Sequence, residues 1–316
     1  MLSTKEMSII ITGGCSGLGF GMAKRFSSQG AKVTICGRRE DKVKDAKEIL
    51  GDNVSAIVAD ITKNSDRKKL IQAGLDHGGK INALVNNAGN MYRGPIDNLD
   101  QNELINIFNT NVISGMMLLG ESKKYLAKTE GVNIFIGSVH NRRAFPGASP
   151  YAATKAIDEI YANVFTRCYN MECIGLRYFN IFGPRQDPNG MYAAVIPKFI
   201  KLMRNGEKPI LNGDGSFSRD FTYVDNAVQA NILALTTQTR ECLGQAFNIG
   251  AGGQSTLLEL INAINSELKR DIEPIFGPQR AGDIPHSNAD ITKAKNMLGY
   301  HPKISFEEGI KLLINL

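Results

Sequence analysis

The sequence has no tryptophan, only five cysteines in 316 residues, and no long apolar run. Each scarcity removes a class of function. A membrane-spanning helix needs ~18 consecutive apolar residues, and no stretch approaches that. The first residues, Met1 to Ser8, hold no apolar signal region either, so no membrane partner is expected. The cysteines, Cys15, Cys36, Cys168, Cys173 and Cys242, form no C-x-x-C pair and no metal-ligand spacing. They read as the reduced thiols of a cytoplasmic protein without a metal. Aromatic residues make up 7% of the chain and no Lys/Arg block is interleaved with them, which argues against nucleic acid. The formal charge of +6 suits an anionic ligand or, equally, a solvated basic surface. The rest is ordinary globular composition, in a chain long enough for one large core or two modest ones and without internal repeats.

Ser8-Ile9-Ile10-Ile11-Thr12 is a short apolar run of the kind that becomes a buried strand. Gly13-Gly14-Cys15-Ser16-Gly17-Leu18-Gly19 follows, then a helical pattern to Gln29. In that order, glycines let the backbone approach a pyrophosphate, whose charge the helix N-terminus stabilises. Gly13, Ser16, Gly17, Leu18 and Gly19 are therefore candidate cofactor contacts, with an ordinary tight turn as the plainer alternative. Lys32–Cys36 is a second strand, and its end bears on which dinucleotide binds. Where an acid would accept from a ribose 2′-hydroxyl, the chain has Gly37-Arg38-Arg39. Guanidinium groups suit a 2′-phosphate, so Arg38 favours NADP; Glu40 and Asp41, close behind, leave the NAD role open. Val54–Val58 is a third strand leading to Asp60, a candidate adenine contact or a helix cap, and its neighbour Ile61. Ala83–Val85 runs into Asn87, Ala88 and Gly89, where small residues let a strand end pass under a cofactor.

Gln101–Lys128 reads as one long helix with Asn111 inside it, either exposed or holding a water. Val132–Ile136 is the fifth strand and delivers Ser138 at its carboxyl end, where open α/β sheets bind ligands. Tyr151 stands thirteen positions later and Lys155 four after that, on one helix face. A free tyrosine titrates near ~10, and an adjacent ammonium stabilises the phenolate, moving it toward use as a base. Ser138 can then hold the hydroxyl or carbonyl being oxidised or reduced. Alone, Tyr and Lys at this spacing describe a half-exposed surface pair just as well; the serine and the upstream motifs favour catalysis.

TGxxxGxG at Thr12–Gly19, NNAG at Asn86–Gly89, Asn111, Ser138 and Tyr151-x-x-x-Lys155 together resemble the short-chain dehydrogenases/reductases, in that family's order and spacing. The resemblance implies Ser138, Tyr151, Lys155 and Asn111 as the catalytic set, with Tyr151 and Lys155 also touching an NAD or NADP cofactor. The glycine spacing is similar to the compact single-domain branch, since the TGxxGxxG of the two-domain branch fails at Ser16. From about Tyr151 onward the chain instead resembles the two-domain branch, specifically UDP-glucose and UDP-N-acetylglucosamine 4-epimerases. Ile174–Arg185, Tyr192–Lys198, Asn212–Asn226, Ala246–Gly250 and Arg280–Ser287 carry that likeness. It implies substrate contacts at Asn180, at Ala194 and Val195 in a segment that meets uracil, and at Arg219, Arg280 and Asp283. Plainer roles exist: Asn180 can cap a turn, and Arg219 can pair with Asp220. The seam between the two likenesses falls near Pro146–Tyr151, so the chain reads as a chimera of two branches.

The expected fold is α/β, a doubly wound parallel sheet (Rossmann) with a smaller α/β C-terminal substrate domain. Residues 1–179 plus about 225–250 are expected to form the dinucleotide-binding domain, and 180–224 plus 252–316 the nucleotide-sugar domain. The expected function is a UDP-hexose or UDP-N-acetylhexosamine 4-epimerase working through a 4-keto sugar. The alternatives are an NADP-dependent dehydrogenase/reductase and a nucleotide-binding chimera without turnover. Met116, Met117, Leu118, Ile160 and Phe165 give the two long helices apolar residues beyond one buried face. The resemblance implies that these helices pair across a twofold axis in a homodimer.

Overall fold

The computed structural model describes residues 4–142, 147–189, 194–279 and 284–316. Strands β1 (Ser8–Ile11), β2 (Lys32–Gly37), β3 (Val54–Val58), β4 (Ala83–Asn86), β5 (Val132–Ser138) and β6 (Glu172–Tyr178) open the chain. Between them run helices α1 (Gly17–Ser28), α2 (Glu40–Leu50), α3 (Asn64–Gly78), α4 (Gln101–Phe108), α5 (Ser114–Ala127) and α6 (Ser149–Tyr169). Next come β7 (Ile181–Phe182), α7 (Val195–Arg204), β8 (Ile210–Asn212), β9 (Ser218–Arg219), β10 (Thr222–Tyr223), α8 (Val224–Thr236) and β11 (Ala246–Ile249). The chain finishes through β12 (Ser255–Thr256), α9 (Leu257–Leu268), β13 (Ile275–Gly277), β14 (His286–Ser287), α10 (Thr292–Leu298) and α11 (Phe306–Ile314). It divides into two compact units: residues 1–177, 228–247 and 293–300, and residues 178–227, 248–292 and 301–316.

The first unit is built on a seven-stranded sheet of order β3-β2-β1-β4-β5-β6-β11. β1 pairs in parallel with both β2 and β4, Ile10 lying opposite Thr34 on one side and Leu84 on the other. Strand order therefore reverses between β1 and β4, the switch point where such sheets bind ligands beyond their carboxyl ends. Ile9, Ile10 and Ile11 are fully buried, as expected of a parallel strand covered on both faces. α3 lies close against β1: a Cβ on Gly78 would collide with Ser8 Oγ. The helix expected over Gln101–Lys128 is broken into α4 and α5 by a π-helical turn at Asn109–Ile113. Asn111 lies within that turn and faces inward, only 5% exposed. β11 joins the sheet at its edge beside β6.

The second unit has its own core of Phe182, Phe199, Phe221, Leu260 and Ile310 with their neighbours. The Phe182 ring meets Tyr223 and Phe306 edge-on, at 5.5 and 6.4 Å between centroids, a favourable aromatic geometry. α9 starts on a capping box, in which Thr256 and Glu259 satisfy each other's backbone N–H groups.

On the outer faces of α5 and α6, Met116 and Met117 are 41% and 44% exposed and Ile160 59%. Leu118 differs from expectation. It is fully buried with Leu119, because eleven residues, about three helical turns, separate it from the buried Ile107 and put it on the same inward face. Phe165 is half-buried and stacks on Tyr161 at 5.2 Å. Among the described residues no helix is long and apolar enough to cross a membrane.

Candidate active site

A cavity of about 490 Å³ opens over the carboxyl ends of β1, β2, β3 and β4. Gly13, Ser16, Leu18, Gly19, Arg38, Asp60, Ile61, Asn87, Ala88 and Gly89 line it, all of them candidates from the motifs. Gly17, Tyr151 and Lys155 are not in this lining. Gly13 has a positive φ of 64°, and a Cβ there would sit 3.0 Å from the Ala88 Cα. A Cβ on Gly19 would fall 2.5 Å from the Gly13 carbonyl oxygen and 2.6 Å from Asn87 Nδ2. The loop therefore needs glycine at both places. Gly17 also has positive φ, but nothing lies within 4 Å of its Cβ position, which leaves open space beside the helix N-terminus. Ser16 caps α1 without a side-chain hydrogen bond, and the first turn of α1 carries no acid. That end is suited to an anionic group held by backbone N–H groups.

Thr12 and Asn87 fasten the β1 and β4 ends together. The Asn87 amide donates to the carbonyls of Thr12 at 2.9 Å and Gly13 at 3.2 Å. Thr12 Oγ1 accepts from the backbone N–H groups of Asn87 and Ala88, both at 3.0 Å. At the other end of the cavity Arg38, Arg39 and Lys42 supply three cations. Lys42 was not singled out from sequence; it stands one helical turn beyond Arg38, and that spacing was the available signal. Glu40 and Asp41 lie in the first turn of α2, and Asp41 and Asp45 both pair with Lys42. Asp60 accepts from the backbone and hydroxyl of Thr62, closing a turn. Cys15 and Cys36 also line the cavity, but burial pushes their thiols up to about 11 and about 12, so neither is a nucleophile at neutral pH. The lining fits a nicotinamide dinucleotide: glycines where the backbone must come close, a bare helix N-terminus for phosphates, and cations at the far end.

The Gly89 position leads to the catalytic candidates, since a Cβ there would lie 3.3 Å from Asn111 Oδ1 and 3.9 Å from Lys155 Nζ. Lys155 is 4% exposed. Its ammonium donates to the Ile136 carbonyl at 2.7 Å and to Asp158 at 3.2 Å, and lies 6.0 Å from the centroid of the Tyr151 ring. Burial opposes the Lys155 charge, yet the Asp158 carboxylate, and after it Tyr151, outweigh burial and hold the amine above its ordinary value. Burial pushes Asp158 up to about 6, against the pull of Lys155. Asn111 is fully engaged: it accepts from the Asn90 N–H at 2.8 Å and donates to the Asn90 carbonyl and to Thr154 Oγ1. Thr154 in turn donates to the Tyr151 carbonyl at 2.7 Å. Asn111 thus ties the loop after β4 to the first turns of α6.

Ser138 ends β5 and caps the short 3₁₀ turn at Val139–Asn141. Its hydroxyl lies 3.1 Å from His140 Nδ1, and the His140 ring meets Tyr151 edge-on at 5.7 Å. Burial lowers His140 to about 4, with the Arg93 charge adding to the effect. Sequence reasoning passed over His140, Asp158 and Thr154; the available clues were closeness to Ser138 and, for the other two, a place beside Lys155.

In the second unit Asn180 has a positive φ of 37°, and its amide donates to the Asp220 carbonyl at 3.3 Å. Ala194 caps α7, and Val195 packs on the second core. Arg219 donates to the carbonyls of Ser218 and Pro285. The buried Asp220 carboxylate accepts from the N–H groups of Ala251, Gly252 and Ala289 and from Thr222. Arg280 and Asp283 lie outside the described residues.

The family model for short chain dehydrogenases matches residues 7–173, and that for GDP-mannose 4,6 dehydratases matches 137–313. A UDP-glucose 4-epimerase of Mycolicibacterium smegmatis is 38% identical over 163 residues, 52% of this chain and 51% of that protein, so the match spans about half of either. The solved UDP-N-acetylglucosamine 4-epimerase of Methanobrevibacter ruminantium M1, in complex with UDP-N-acetylmuramic acid, is 28% identical with a TM-score of 0.81 and 98% of both chains covered. The UDP-glucose 4-epimerase of Thermotoga maritima, solved with UDP-glucose, is 29% identical with a TM-score of 0.79 and the same coverage. With a family model covering more than half its length, the chain belongs to the short-chain dehydrogenase family, and its relatives include UDP-sugar 4-epimerases of the two-domain branch.

Proposed function

We propose that this protein is an NAD(P)-dependent 4-epimerase of UDP-hexoses or UDP-N-acetylhexosamines. The observation that carries the reading is the buried Lys155 ammonium, 6.0 Å from the Tyr151 ring and next to the glycine-lined cavity at Gly89. The cofactor would be held by Gly13, Ser16, Gly17, Leu18, Gly19, Arg38, Asp60, Ile61, Asn87, Ala88 and Gly89; its nicotinamide, when bound, supplies reversible hydride acceptance. Tyr151 Oη accepts the proton of the sugar 4-hydroxyl and later returns it. Lys155 favours the phenolate by charge. Ser138 donates a hydrogen bond to the oxygen that becomes the ketone. Asn111 fixes the loop at Asn90 against α6. The reaction passes through a 4-keto sugar and needs no net redox change. We assign the dinucleotide to residues 1–179 plus about 225–250, and the nucleotide part of the substrate to 180–224 plus 252–316. Within the latter, Asn180, Ala194, Val195, Arg219, Arg280 and Asp283 are the assigned contacts.

Arg38, Arg39 and Lys42 around one end of the cavity support NADP as the preferred dinucleotide. Two family models meeting across residues 137–173 support a chimera of two branches. Exposed Met116, Met117 and Ile160 support a homodimer through α5 and α6, and light scattering showing a monomer at micromolar concentration would refute it. Five free cysteines support a cytoplasmic location. The same three cations favour a second reading, a reductase that consumes NADPH. Two measurements separate them. Mass spectrometry of the denatured protein identifies any retained cofactor, and proton NMR follows C4 inversion in UDP-glucose and UDP-N-acetylglucosamine. The epimerase reading expects inversion without added cofactor and its loss in Tyr151→Phe; stoichiometric NADPH consumption without inversion would overturn it.

A further inference from the structure

Ser138 has one proton to give and two lone pairs to fill. If Ser138 is to donate to the C4 oxygen of a keto sugar, which can only accept, that proton must not be committed elsewhere. The structure places two nitrogens of His140 on its hydroxyl: the backbone N–H, which donates at 3.3 Å, and Nδ1 at 3.1 Å. Were Nδ1 the bare nitrogen, Ser138 would donate to the imidazole and have nothing left for the substrate. Were Nδ1 protonated, both lone pairs of Ser138 would be filled by His140, and the hydroxyl proton would point away from it and be left for a substrate.

We propose that His140 is a positioning residue, held as the neutral Nδ1–H tautomer, that aims the Ser138 hydroxyl proton at the reacting oxygen of the substrate. The surroundings suit this role. The turn carrying His140 is anchored on both sides, by Ser138 capping it and by Asn141 bonding to Glu159, which itself holds Arg177 at two points. The Tyr151 ring stands edge-on to the imidazole at 5.7 Å. Burial together with the positive charge of Arg93 keeps the ring neutral, so it does not switch with pH in the working range. The Ser138 hydroxyl then offers the substrate oxygen a hydrogen bond of fixed direction.

The inference rests on the assignment of Ser138 and Tyr151 made above, so its test has one part that needs no substrate. The chain has only four histidines. Nitrogen-15 NMR of histidine-labelled protein at pH 7, with His140 assigned by its absence in His140→Asn, reports which ring nitrogen bears the proton. The expected result is a protonated Nδ1 whose resonance moves in Ser138→Ala; a protonated Nε2 overturns the proposal whatever the enzyme turns over. The second part uses steady-state epimerisation. Asn places its amide N–H where Nδ1–H stands, whereas Gln does not. His140→Ala and His140→Gln are expected to lower kcat about tenfold, the worth of one hydrogen bond, with KM little changed. His140→Asn should recover to within about threefold of the parent, and adding Ser138→Ala to His140→Ala should cost little more than Ser138→Ala alone. Equal loss in the Asn and Ala variants, or full additivity, refutes the positioning role. If the parent inverts no UDP-sugar, the functional reading fails, and the NMR result still decides the tautomer.

Discussion

Replacing Asp158 with Asn tests how charge is balanced around Tyr151, the base of the proposed reaction. Asp158 is 3% exposed and lies 3.2 Å from Lys155 Nζ, which is itself 6.0 Å from the Tyr151 ring centroid. The carboxylate is thus no more than about 9 Å from that centroid. Above pH about 6 it is ionised, so the Lys–Asp pair is neutral and cancels part of the field that favours a phenolate. At an effective dielectric near 20, a unit charge at about 9 Å contributes roughly 1.8 kcal/mol, or about 1.3 pH units. Asp158→Asn removes that opposing charge while keeping the shape. The ascending limb of the kcat–pH profile is expected to move about one unit toward acid, with the plateau changed less than about threefold. Initial rates of C4 inversion between pH 5.5 and 9.5 measure it, with thermal unfolding as the control for folding. A limb that stays in place, or moves toward alkali, refutes the electrostatic argument. A plateau lost at every pH in a folded variant would mean that Asp158 orients Lys155 rather than balancing it.

Three further outcomes are expected. Arg38→Ala should weaken NADP about tenfold and NAD less than twofold by calorimetric titration; equal losses would mean that Arg38 does not read a 2′-phosphate. Arg219→Ala should weaken UDP ten- to a hundredfold, about 1.5–3 kcal/mol for a charge-assisted hydrogen bond, and leave NAD(P) binding unchanged. A parent protein that does not bind UDP would overturn the reading of the second unit. His140, neutral in the fold with its value lowered from 6.5 to about 4, contributes stability that is present above pH 6.5 and lost as pH falls through 6.5 toward 4, about 3 kcal/mol in all. Asp158, raised by burial, works in the opposite sense in this range, so the comparison must be with His140→Asn. Urea unfolding of that variant should be flatter between pH 6.5 and 4, and parallel slopes would refute the assignment.

Much of the first unit was legible in the chain because its signals are local. Ile9, Ile10 and Ile11 in succession mark a strand covered on both faces, and Gly13 and Gly19 mark a loop where a Cβ would press on Ala88 or on the Gly13 carbonyl. Tyr151 and Lys155 at helical spacing, with Ser138 at a strand end, were enough to nominate the site. The second unit was legible mainly by likeness, since β7, β9, β10, β12 and β14 have only two residues each, too few to show a period.

What the sequence determined by itself was which residue types stand at which register: the glycines between β1 and α1, Tyr151 four positions before Lys155, and the arginines where an acid is usual. Only the tertiary structure decided what those residues face. Helical spacing says that Lys155 and Asp158 share a side of α6, but not that β5 closes over them and makes the pair a buried one. Chain order says that His140 follows Ser138 by two, but not that the turn folds its ring back onto the hydroxyl and against Tyr151. Chain order puts Asn111 in the middle of a helical stretch, but does not say that it reaches the backbone of Asn90 and the hydroxyl of Thr154. Periodicity is a property of a few neighbouring residues. Burial and the charge balance it imposes depend on segments tens of residues apart, and they arise only when those segments pack.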